Sequence, residues 1–273
     1  MSVTEYAVGD GPYGVAIAGG EVWTTLVHAG RVATASGRQF DLDAPQSRPS
    51  VIVDGPDDAV WFTRNGDDRV GRIGYDGVVS AVDVAGAPYG LCVGSDGALW
   101  CTLMSADAVA RVTVDGEVTT YPIGTSGAFP AMITSYGDEL WFTLNQANAI
   151  GRMTLDGAVT TYPLPTESAG PVGISGVWFV EILADRVGRI TADGKIEEFA
   201  LPAGSKPHAV AGAADGGCWV SLWGAGAVAR LDAEGNITDR HDLGEGSEPH
   251  GLVVDGESVW VALEKGSLAH IQP

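Results

Sequence analysis

A tryptophan returns at Trp23, Trp61, Trp100, Trp141, Trp178, Trp219 and Trp260, and a proline precedes each one, at Pro12, Pro49, Pro88, Pro130, Pro171, Pro207 and Pro249. Successive tryptophans are 37 to 41 residues apart. A fixed period of this length means that one supersecondary unit is used over and over, which restricts the fold more than any composition can. Other features keep the same phase. After the tryptophan comes a small-Arg-apolar triplet: Gly71-Arg72-Ile73, Ala110-Arg111-Val112, Gly151-Arg152-Met153, Gly188-Arg189-Ile190 and Ala229-Arg230-Leu231. A turn pair follows, such as Asp76-Gly77, Asp115-Gly116 or Asp156-Gly157, and then an alternating run such as Val118-Thr119-Thr120-Tyr121. Asp-Gly between apolar runs marks a hairpin, because both residues tolerate positive φ.

Each period therefore holds four short strands, and no 3.6-residue pattern competes. Four strands in about 40 residues make a propeller blade. The chain is expected to be all-β, a single seven-bladed β-propeller over residues 1–273. The last repeat stops after its third strand, near Ile271, while Val3-Thr4-Glu5-Tyr6-Ala7-Val8 reads as a fourth strand without a blade. The N-terminal strand should complete blade seven and cover an otherwise open edge. Blade five is irregular, with only seven residues from Pro171 to Trp178 where the other blades have 11 or 12. Either its first hairpin is clipped or a piece is missing from the sequence.

Composition excludes several partners. The net charge is −20, from 35 acidic and 15 basic residues. Nucleic acids and anionic membranes need clustered Lys and Arg, and no cluster exists. No apolar run approaches the ~20 residues of a membrane span, and no leader pattern opens the chain, so a cytoplasmic monomer acting on a small molecule is expected. Cys92, Cys101 and Cys218 show no metal or disulfide spacing.

Repetition also separates scaffold from function. Residues present in every blade hold blades together, so the seven tryptophans are packing residues. Gly9-Asp10-Gly11-Pro12-Tyr13-Gly14 matches GxGxxG, but no helix follows it, and Pro-Tyr-Gly recurs at 88–90. The residue after each repeat proline is Tyr13, Ser50, Tyr89, Ala131, Val172, His208 and His250. Two histidines thus open the innermost strands of neighbouring blades six and seven, on one rim close to the axis. Glu248 stands two residues before His250. Glu264 is four residues after Trp260, a position where no other blade has an acid, and the hairpin turn at 255–257 brings it back beside His250. His28, His241 and His270 are read as surface residues, and Glu181 as a rim acid of undecided role.

Two carboxylates suit a hard divalent ion such as Mg²⁺, which prefers oxygen and keeps several waters. Imidazole titrates near pH ~6.5 and can serve as a general base. A metal beside a base suits removal of a proton next to a carbonyl.

At these residues the chain resembles the virginiamycin B lyase (streptogramin B lyase) family. The resemblance covers essentially all 273 residues. It rests on the blade pattern, on Lys206-Pro207-His208-Ala209, on Ser247-Glu248-Pro249-His250-Gly251 and on Glu264. It implies linearisation of type B streptogramins, cyclic depsipeptides closed by a threonyl ester, through elimination. It further implies Glu248 and Glu264 as Mg²⁺ ligands, His250 as the general base and His208 as a second functional histidine contacting substrate near the ester. Tyr13, Tyr89 and Trp223 are candidate walls of the substrate site. Two other readings stay open: a metal-dependent lactonase, which would draw its ligands from several blades, and a non-catalytic binding scaffold.

Overall fold

The computed structural model describes residues 2–272. Among these the chain forms 28 strands, arranged as seven four-stranded antiparallel sheets. The first strands of neighbouring sheets adjoin one another around the ring, so each blade runs outward from the axis. The seven-bladed reading holds. The strand Ser2–Ala7 pairs along its whole length with Ser267–Gln272, from Ser2 opposite Gln272 to Ala7 opposite Ser267, and so completes blade seven. Lys265 Nζ and Ser267 Oγ both bind the Glu5 carboxylate across this closure. No helix among the described residues is long and apolar enough to cross a membrane.

Each repeat tryptophan packs into the apolar cluster of the following blade. Trp61 lies with Leu91, Leu99 and Cys101 of blade three, and Trp178 with Val210, Cys218 and Val220 of blade six. Trp260 lies with Val15, Leu26 and Ala33 of blade one. Removing a buried ring of this size costs about 3–5 kcal/mol. The recurring arginine has its own reason to recur, since Arg72, Arg152, Arg189 and Arg230 each lie over the tryptophan of their own blade; in blade one Thr34 stands opposite Trp23, and Arg38, four residues on, lies over the ring instead. In blade seven His270 replaces it and stacks on Trp260 with ring centroids 4.0 Å apart.

Two backbone devices shape the rim. The residue before every repeat proline is in the left-handed region, including Gly11 at φ 72°, Ala87 at 55° and Glu248 at 45°. Directly after every proline the pairing slips, as between Pro249 and Leu252, so the next residue lies in a bulge. Bulges re-aim side chains. Here they carry Tyr13, Tyr89, His208 and His250.

Blade five has a clipped hairpin. Ser175 pairs directly with Trp178, and two rungs found in blade one are absent. Losing two residues from each strand keeps the inward and outward faces in phase, which explains why the blade survives.

Candidate active site

His250 and Glu264 are in contact: Nε2 and Oε2 are 2.5 Å apart. The hairpin dictates this. Pro249 pairs with Leu263, and the Glu264 amide donates to the Glu248 carbonyl at 3.3 Å, which ties the two acidic residues together at the backbone. His250 is buried, 7% exposed, whereas Glu248 is exposed. Burial pushes the His250 imidazole below its ordinary value, and the hydrogen bond and charge of Glu264, together with the Glu248 charge, oppose this only in part. Burial pushes Glu264 up, but hydrogen bonds from His250 and His28 outweigh it and hold the carboxyl below the usual range. The carboxylate is therefore ionised and only accepts, so both histidines donate from Nε2.

His28 was the unforeseen member. It follows the second strand of blade one, and its Nε2 is 2.6 Å from Glu264 Oε1. Reading it as a surface residue missed that blade one adjoins blade seven once the ring closes. His241 and His270, also expected on the surface, are half-buried and pack on Trp219 and Trp260.

His208 reaches the same place from blade six. Its ring meets His250 edge-on, with centroids 4.6 Å apart. Burial, and after it the neighbouring His250, pushes its pKa down to about 3, so it stays neutral. Tyr13 lies against His250, with ring centroids 4.4 Å apart, and its hydroxyl is 3.3 Å from His208 Nε2. A Cβ on Gly251 would come within 2.6 Å of the Tyr13 carbonyl, so glycine is what allows the two bulges to approach this closely. Tyr13 and Tyr89 are hydrogen-bonded hydroxyl to hydroxyl and, with His208, line an axial cavity of about 310 Å³. Trp223 lies apart from them, in a groove of about 470 Å³ between blades six and seven that it lines with Lys206, Glu245 and Glu248.

The donor set limits what metal this rim could hold. Among the described residues no three His, Cys, Asp or Glu side chains gather as a metal-binding group. Glu248 and Glu264, joined at the backbone, offer two carboxylates. That fits a hard cation retaining most of its water and not an ion fully coordinated by protein.

Glu181 is not at the rim. It lies inside blade five with no exposed surface, and neither carboxylate oxygen has a hydrogen-bond partner. Burial, reinforced by the Glu198 charge and opposed by Arg186, pushes its pKa up to about 8.

The sequence profile of the virginiamycin B lyase family matches residues 1–271. The chain belongs to the virginiamycin B lyase family. A crystal structure of virginiamycin B lyase from Staphylococcus aureus is similar to it over 98% of both chains, with 35% identity and a TM-score of 0.93. A catalytically inactive histidine-to-alanine variant of the Staphylococcus aureus lyase, solved with quinupristin, is similar at 34% identity and a TM-score of 0.93, again over 98% of both chains. A virginiamycin B lyase from Nocardia farcinica is 40% identical over 89 residues, a stretch spanning 31% of each protein.

Proposed function

We propose that this member of the family is a Mg²⁺-dependent carbon–oxygen lyase that linearises type B streptogramins. The His250–Glu264 pair carries the reading: a neutral imidazole held by an ionised carboxylate, with a second neutral imidazole, His208, at its edge. The quinupristin-bound relative, inactivated by loss of one histidine, supports it.

His250 takes the threonine α-proton at Nδ1, the nitrogen left unprotonated and without a partner when Nε2–H donates to Glu264. The Cα–H electron pair becomes the Cα=Cβ double bond, the Cβ–O bond breaks, and the ester carboxylate departs. Glu264 balances the imidazolium formed. His208 contacts substrate beside the ester, with Tyr13 and Tyr89 on its axial side, and Trp223 offers apolar surface in the separate groove that Glu248 lines. Glu248 and Glu264 would hold Mg²⁺, which when bound supplies positive charge for the developing enolate oxygen. A lactonase drawing ligands from several blades is less well served, since both carboxylates come from blade seven.

Product mass tests the proposal. Quinupristin incubated with the protein and Mg²⁺ should give a linear product of unchanged mass containing a dehydrobutyrine. A gain of about 18 Da would mean hydrolysis, and an intact substrate would reject the activity.

A further inference from the structure

The two oxygens of Glu264 are held separately, one by His250 of its own blade and one by His28 of the next. Five residues after the repeat tryptophan the blades carry His28, Gly66, Ser105, Gln146, Leu183, Gly224 and Lys265, so the imidazole is particular to blade one. Its side chain is 52% exposed, yet its seat is built. The ring lies against Gly11, where a Cβ would come within 2.5 Å of His28 Cδ2. The Val27 amide just before it is fixed to the Gly11 carbonyl at 2.8 Å. Blade five shares the glycine, Gly170, and seats Leu183 against it; the other five blades have Arg48, Ala87, Phe129, Lys206 or Glu248 there, whose side chains would fill the seat.

We propose that His28 is a positioning residue for the His250–Glu264 pair, acting across the seam where the ring closes. A glutamate side chain has three free torsions and begins here at the end of a strand. One contact leaves its carboxylate free to swing about the His250 nitrogen. A second, on the other oxygen and from a different blade, fixes the plane. Removing such an outer partner typically costs 10–100-fold in activity.

The catalytic part of this inference rests on the lyase reading, so the test has an arm that does not. In protein labelled with ¹⁵N-histidine, without substrate or added metal, His28→Ala should shift the His250 ring resonances, and His28→Gln, whose amide can still donate to Oε1, should move them back. With quinupristin, His28→Ala should lower kcat by about 10–100-fold and leave KM within about twofold, and His28→Gln should recover most of the loss. Unchanged His250 resonances in His28→Ala would overturn the proposal, as would an unchanged kcat. If the wild-type protein does not turn over quinupristin, the lyase reading fails, and the resonances alone decide whether His28 positions the pair.

Discussion

Glu181 offers the sharpest test of how this ring is held together. Its position pairs with the repeat proline in every blade, and five blades place a leucine there: Leu26, Leu103, Leu144, Leu222 and Leu263, each no more than 1% exposed. Blade two has Arg64, equally buried but paired with Asp43 and Asp67. Blade five alone puts an acid there, beside Glu198, whose own carboxylate already accepts from the Thr166 amide and hydroxyl at 3.0 and 2.7 Å. A buried ionised carboxylate without a donor is expensive, so Glu181 keeps its proton to about pH 8. The folded protein holds that proton to higher pH than the unfolded chain does. Stability therefore falls as pH rises from about 4.5 through about 8, and the loss is complete above that. At about 1.4 kcal/mol per pH unit the rise corresponds to roughly 5 kcal/mol, which water entry around the ionised acid reduces to roughly 2–4 kcal/mol. Glu181→Leu restores the residue of the other blades. Urea denaturation of wild type and variant should give similar stabilities near pH 5 and a variant more stable by roughly 2–4 kcal/mol at pH 9. Taking the difference cancels the titrating groups that are not coupled to Glu181. Two stability curves that run parallel from pH 5 to pH 9 would refute the reasoning.

Deleting residues 1–9 removes the strand that closes blade seven and should lower the thermal midpoint by about 10 °C, read by circular dichroism. His250→Ala should cut turnover of quinupristin by about 10²–10⁴-fold while the melting curve stays in place. Glu248→Gln should raise the Mg²⁺ concentration for half-maximal rate by about tenfold, and excess EDTA should abolish wild-type turnover; activity that persists in EDTA would remove the metal from the mechanism.

Most of the architecture was legible because it is said seven times. Pro12, Trp23 and their counterparts report the same strand and the same neighbour contact in each blade, so chance patterning averages out. The His250–Glu264 contact was also legible, since it lies within one hairpin whose turn fixes the register. His28 was not. Its contact joins residues 236 apart in sequence and depends on how far two side chains reach across the ring closure. Glu181 failed for a related reason: strand alternation tells which face a residue takes, but not whether that face is a rim or a sealed space beside Glu198.

The closure of blade seven has a further consequence for how the protein is made. Ser2–Ala7 is synthesised long before its partner Ser267–Gln272. Blades one to six can each complete their sheet as soon as their own residues emerge, in keeping with folding that starts from the N-terminal side. Blade seven cannot, and it supplies Glu248, His250 and Glu264, while the residue that braces Glu264 has been waiting in blade one. A chain stopped before blade seven, even one with six good blades, thus lacks all three of these residues.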